Sequence, residues 1–135
     1  VIVSMVPSCL FTPISIVPSC LYTEPEIASV GLTETQAREK GVQIRVGRYD
    51  MKGNGQQIIS RETGGFIKVI FAANSDVLLG AQIMCARATD MIGELATALA
   101  NGLTSTQLMY AMRAHPTFNE AISCAVENSR DNIKE

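Results

Sequence analysis

The sequence predicts an α+β fold, an antiparallel sheet with helices packed mainly on one side. Three observations predict it. The runs "VQIRVGRYDM" (42–51), "FIKVIFAA" (66–73) and "VLLGAQIMC" (77–85) succeed one another with no helical pattern between them, which disfavours a doubly wound parallel sheet. The last two are separated only by "NSD", a hairpin turn. From residue 89 onward the apolar spacing becomes helical.

The elements follow in order. Glu26 to Gly31 forms a short strand. Thr33 is an N-cap with Gln36 three residues later, a capping box, and the helix it opens should run to about Lys40 and stop at Gly41. Residues 42–51 alternate and form the next strand. "KGNGQQIISRETGG" (52–65) is polar and glycine-rich and reads as a loop. The hairpin of 66–73 and 77–85 comes next. "TDMIGELATALANG" (89–102) is a helix with Asp90 near its start and Gly102 as its stop. "TSTQLMYAM" (104–112) begins with a second Thr-x-x-Gln box. "PTFNEAISCAVENS" (116–129) is a final helix with Pro116 in its first turn. The charged tail, residues 130–135, should fray.

The front of the chain carries a duplication. "VPSCLFT" (6–12) recurs as "VPSCLYT" (17–23), differing only at Phe11 against Tyr22. Only one copy can occupy a given place in the fold. The second runs directly into the domain, so residues 17–129 are expected to form it and residues 1–16 to be an extra segment. The first copy could add an edge strand, cross to a partner or stay disordered. No basic residue precedes the apolar start, and Pro7, Pro13 and Pro18 argue against a membrane helix. No targeting segment and no membrane partner are expected.

The 135 residues suit one domain, burying about two-thirds of the surface that its unfolded chain exposes. Charged residues are only 18% and hydrophobic residues 47%, with a mean hydropathy of +0.18. That is little polar surface for an isolated monomer, so one face should be covered by a second copy or by another part of a larger protein. The net charge is −2, with no basic stripe, so nucleic acid is not an expected partner. The four cysteines, Cys9, Cys20, Cys85 and Cys124, form no CxxC, and there is one histidine, so no metal site is expected. Cys85 and Cys124 lie in apolar runs and read as small buried thiols, which fits a reducing, cytoplasmic setting.

Several catalytic signatures are missing from these residues: GxGxxG, a Walker-type phosphate loop, a GxSxG elbow and a redox cysteine pair. "GNG" (53–55) is a loop glycine pair. What remains is "HPTFNEA". Histidine carries protons near neutral pH, and a carboxylate on one ring nitrogen fixes its tautomer and raises its basicity. Glu120 lies in the first turn of a helix just after His115, so the two side chains can meet. The competing reading is structural: Thr117-x-x-Glu120 is itself a capping box. Spacing alone leaves both open.

"HPTFNEA" resembles the His-Pro-Thr-x-x-Glu motif near the C-terminus of pyridine nucleotide-disulfide oxidoreductases. "VPSCLYTEPEIASVGLTETQAREKG" resembles the opening of their dimerisation domain. "TGGFIKVIFAANSDVLLGAQIMCARATDMIGELATALANGLTSTQL" resembles its hairpin and following helices. The likeness runs over about residues 17–128 and is nearest to the dihydrolipoamide dehydrogenase branch. It implies the interface domain of a homodimeric enzyme that uses FAD and NAD(P). It also implies that His115 exchanges a proton with a substrate thiol in the partner subunit's active site, oriented by Glu120. The backbone of His115, Pro116 and Thr117 would approach the partner's flavin. The FAD and NAD(P) domains and the redox cysteines are not in these residues, so no cofactor is expected on this chain and it should be inactive alone. Two other readings are a free-standing homodimeric interaction module without catalysis and an independent enzyme built on His115 and Glu120.

Overall fold

The computed structural model describes residues 14–131. Strands β1 (Ser19–Leu21), β2 (Glu26–Gly31), β3 (Ile44–Asp50), β4 (Phe66–Ala72) and β5 (Leu78–Cys85) form one sheet in the order β1-β2-β5-β4-β3. Every neighbouring pair is antiparallel, so the expected α+β architecture is observed. The helices are α1 (Glu34–Glu39), α2 (Gly55–Ile59), α3 (Ala88–Ala100), α4 (Ser105–Tyr110) and α5 (Glu120–Asp131). No helix among the described residues is long and apolar enough to cross a membrane.

Strand alternation builds the core. Ile67, Val69 and Phe71 of β4, Ala81, Ile83 and Cys85 of β5, and Ala28 and Val30 of β2 all turn to one face and are buried. Helices α3 and α5 cover that face. Met91, Ile92, Leu95, Ala98 and Leu99 recur along α3 at helical spacing, as do Ala121, Ile122, Ala125 and Val126 along α5. The opposite face is thinner: Ile70, Ala72 and Leu79 pack with Val42, Ile44 and Val46. Helix α1 lies on that side, where Glu34 meets Arg48 at 3.1 Å and Lys68 at 3.8 Å. The β4–β5 register slips between Ile70 and Phe71, which reverses the alternation at the start of β5 relative to Ala81, Ile83 and Cys85. That bulge puts Leu78 in the main core and Leu79 in the smaller cluster.

One contact sets how closely α5 sits on the sheet. A Cβ on Gly47 of β3 would lie 1.9 Å from the Ala125 carbonyl oxygen, so only glycine permits this approach. The Arg48 amide then donates to Asn128 Oδ1 at 2.9 Å. Both capping boxes form. Thr33 Oγ1 accepts from the Gln36 amide, Thr104 Oγ1 accepts from the Gln107 amide, and each glutamine reaches back to its threonine.

Four expectations need correction. Residues 52–65 are not simply a loop: a 3-10 turn (Met51–Gly53) and α2 occupy the first half, because Asn54 caps α2 by accepting from the Gln57 amide at 3.0 Å. The last helix begins at Glu120 rather than at Pro116. The Thr117 hydroxyl donates to the Ala114 carbonyl and the Thr117 carbonyl accepts from Asn54. Neither group is therefore available to a first helical turn, and the first helix-like bonds are Ala121 N–H to Phe118 O and Ile122 N–H to Asn119 O. Cys124 is only half-buried, on the flank of α5, whereas Cys85 is fully buried. Finally, α5 continues through Arg130 and Asp131, because Arg130 donates to Thr106 Oγ1 at 2.7 Å and to Ser105 Oγ at 3.4 Å. The second VPSC copy supplies edge strand β1, an element absent from the sequence reading. The first copy, Cys9 and residues 132–135 lie outside the described residues.

Candidate active site at the His115 turn

Four residues separate α4 from the His115 turn, which ends where α5 begins. The His115–Pro116 peptide is cis. His115 Nδ1 lies 2.9 Å from Glu120 Oε1. The other carboxylate oxygen, Oε2, accepts from the Thr117 amide at 2.9 Å. Glu120 thus has one oxygen on the imidazole and the other on the Thr117 amide, while the Thr117 hydroxyl donates to the Ala114 carbonyl and does not complete a capping box. A carboxylate only accepts, so Nδ1 carries the hydrogen in this pair and Nε2 is the ring's free position. The His115 side chain is 80% exposed among the described residues.

The Thr117 amide first, and the His115 ring second, hold the Glu120 carboxyl below the ordinary carboxylate value. Its place as the first residue of α5 adds the favourable end of the helix dipole. Glu120 is thus an anion at neutral pH, facing the ring. One turn along α5, burial and the charges of Glu127 and Glu120 push the Cys124 thiol up. Burial, with Cys124 next, pushes the Tyr49 hydroxyl up too. Both stay protonated neutral groups behind the carboxylate.

Four residues that the sequence did not single out hold the turn. Asn54, 3% exposed, donates to the Thr117 carbonyl at 3.0 Å. Arg113, whose side chain is 6% exposed, pairs with Glu94 of α3. Its other guanidinium nitrogen donates to Ser123 Oγ at 2.6 Å and to the Ala111 carbonyl at 3.1 Å. Asn119 donates to Glu94 Oε2 at 3.0 Å. Residue spacing gave no sign of this, because the partners come from α2, α3 and α5. The only local hint was the asparagine inside "GNG", a good helix cap.

The predicted site residues His115 and Glu120 are thus brought together, with Pro116 and Thr117 between them. No other histidine exists to compete. Among the described residues no group of three or more His, Cys, Asp or Glu side chains is placed to hold a metal ion. Chemically, the arrangement is a histidine with one nitrogen fixed by a carboxylate and the ring otherwise exposed.

Residues 17–126 match the family described as pyridine nucleotide-disulphide oxidoreductase, dimerisation domain. The chain is 41% identical over 104 residues to a dihydrolipoyl dehydrogenase of Bacillus subtilis, covering 77% of this chain and 22% of that protein. It is 42% identical over 102 residues to a dihydrolipoyl dehydrogenase of Rhizobium etli, covering 76% and 21%. Among solved structures, the Cu(II) complex of the HOCl-induced flavoprotein disulfide reductase RclA from Escherichia coli aligns with a TM-score of 0.80 at 26% identity, over 84% of this chain and 26% of that one. LpdA from Mycobacterium tuberculosis, at 23% identity and a TM-score of 0.79, shares the fold over 90% of this chain and 26% of its own. The chain therefore spans about a quarter or less of the length of each of these relatives.

Proposed function

This chain belongs to the pyridine nucleotide-disulfide oxidoreductase family as a dimerisation domain like that of dihydrolipoyl dehydrogenases, and from that premise we propose that His115 and Glu120 are an acid–base pair lent to a partner subunit. One observation carries the reading: the ring is fixed by Glu120 through Nδ1 and is otherwise open to solvent. A side chain used only to cap α5 would not need an exposed imidazole there.

The residues' part is proton transfer. A dithiol substrate's S–H would give its proton to His115 Nε2, leaving a thiolate that can attack a disulfide sulfur. The imidazolium formed is stabilised by the Glu120 carboxylate 2.9 Å from Nδ1. In the reverse direction the same proton returns to a leaving thiolate. The thiol belongs to a site on the other subunit, so the active form is a homodimer, and this chain alone has no turnover.

FAD and NAD(P), bound by other domains, would supply the electron transfer between nicotinamide and disulfide. The turn is compatible with a flavin edge nearby. Its Thr117 carbonyl is already engaged by Asn54, so a ring N–H would meet the backbone of His115 or Pro116 instead.

The test is a chimera in which residues 17–129 replace the matching domain of the Bacillus subtilis relative. Dimer formation by light scattering and lipoamide-dependent turnover are expected. His115→Gln should lower kcat by about 10²–10⁴-fold, the usual worth of a positioned acid–base group. A dimeric chimera whose turnover ignores His115→Gln would sink the proposal. Lipoamide reduction by the unmodified chain alone would sink the claim of inactivity.

A further inference from the structure

The two oxygens of one carboxylate hold both ends of the His115 turn. Glu94 Oε1 accepts from Arg113, and Glu94 Oε2 accepts from Asn119 at 3.0 Å. Those two residues bracket Ala114 to Phe118, the stretch that contains His115, Pro116 and Thr117. The bonds of Glu94 run to Arg113 and Asn119 rather than to His115 or Glu120. It stands on α3, whose neighbours Ile92 and Leu95 are buried in the main core, so its position is fixed by the sheet rather than by the turn.

We propose that Glu94, acting through Arg113 and Asn119, is a positioning residue for His115; the inference rests on the acid–base reading above. The physical reason is the geometry of the load. A turn of this length between two helices has few bonds of its own: the Thr117 hydroxyl to Ala114, and the Thr117 amide to Glu120. Those bonds keep the turn's shape, but they do not tie it to the rest of the molecule. Asn54 ties it at Thr117, and Glu94 ties it on both flanks. Without the flanks, the imidazole and the Glu120 carboxylate could separate while the core stayed intact.

A buried ion pair is weak support for stability as such, because desolvation offsets most of its attraction. Arg113 is almost fully buried and divides its donors among Glu94, Ser123 and the Ala111 carbonyl. That distribution suits a device for fixing geometry. Arg113 and Asn119 are also the residues at which α3 reaches across to the start of α5.

The experiment uses the chain as it is, with nuclear magnetic resonance as the readout. Glu94→Gln keeps one acceptor and loses the charge and the other. Amide exchange at Thr117, whose N–H is bonded to Glu120, should quicken by about tenfold, the worth of one charge-assisted hydrogen bond. Exchange at Ile67 and Ile83 in the sheet should stay unchanged. The ring nitrogen signals of His115, recorded above neutral pH, should move from a single Nδ1–H tautomer toward a mixture. Asn119→Ala keeps the Arg113 pair and should produce the same changes, smaller, should Glu94→Gln fail to fold. Equal acceleration at Thr117, Ile67 and Ile83 would make Glu94 a stability residue only and overturn the proposal, as would a Thr117 amide indifferent to both substitutions. These signals do not depend on turnover, so a failure of the chimera test leaves them interpretable.

Discussion

Asn54 and Thr117 are 63 residues apart in sequence and joined by a hydrogen bond of 3.0 Å, from the side-chain amide of the first to the carbonyl of the second. The same Asn54 caps α2 through its Oδ1. One buried side chain thus starts a helix and fastens the His115 turn.

Asn54→Ala removes both bonds and leaves the partly buried Thr117 carbonyl unpaired. A loss of about 2–3 kcal/mol is expected, read from the urea midpoint. Asn54→Asp separates the two roles, since an aspartate still caps α2 but cannot donate to Thr117. It should be less destabilising than alanine at neutral pH while freeing the Thr117 carbonyl, which infrared or exchange measurements at the turn would register. Equal effects of the two substitutions would show that the bond to Thr117, and not the cap, carries the stability.

Gly47→Ala forces α5 off the sheet, because the added Cβ would sit 1.9 Å from the Ala125 carbonyl and 2.7 Å from Ser129 Cβ. Overpacking of this kind costs about 1–3 kcal/mol. The substitution should also disturb the Asn128–Arg48 bond, so the Arg48 amide should lose exchange protection before the β4–β5 hairpin does. Thermal melting with unchanged midpoint would show that α5 accommodates the methyl freely.

Acid stability should depend on Glu120 and Asp76. The Thr117 amide and then His115 hold the Glu120 carboxyl low. Burial pushes the Asp76 carboxyl up, but bonds from the Ser105 hydroxyl, the Thr106 amide and Arg45 outweigh it, and the net direction is down. A lowered carboxyl in the folded state contributes stability that is fully present above the unfolded value, about 3.9 for Asp and 4.3 for Glu. That stability is lost as pH falls through the lower folded value. Urea midpoints measured from pH 6 down to pH 3 should therefore fall more steeply for the native sequence than for Asp76→Asn or Glu120→Gln. Asparagine tolerates the left-handed backbone that Asp76 adopts at φ 61°, so this substitution isolates the charge. Parallel curves would refute the assignment.

Thiol reactivity should follow the burial of each cysteine. Burial pushes the Cys85 thiol up, and burial with Glu127 does the same for Cys124. Reaction needs the thiolate. With a disulfide reagent at pH 8, both should react more slowly than free cysteine, Cys85 the slower of the two, and both should reach the free rate in urea. Rapid modification of Cys85 in the folded chain would show that α3 opens readily from the sheet.

Strands β2 to β5, the hairpin, the two capping boxes and the meeting of His115 with Glu120 were legible because each rests on near neighbours in sequence. Alternation places Ile67, Val69 and Phe71 on one face wherever the sheet lies, and Thr33 reaches Gln36 through a single turn of helix. The start of α5 was misread for the converse reason. "PTFNE" satisfies the local pattern for a helix from Pro116, but Asn54, far upstream, takes the Thr117 carbonyl.

By itself, then, the sequence determined an antiparallel sheet with helices on one side, and a histidine and glutamate close enough to pair. Only the tertiary structure decided what holds that pair in place. Asn54 before α2, Glu94 on α3, and Arg113 and Asn119 on the connection into α5 meet because α3 and α5 cover the same face of one sheet. Local pattern reports hydrogen bonds that close within a turn or along a strand. Buried polar groups that must find partners after desolvation are paired by the packing of the whole domain.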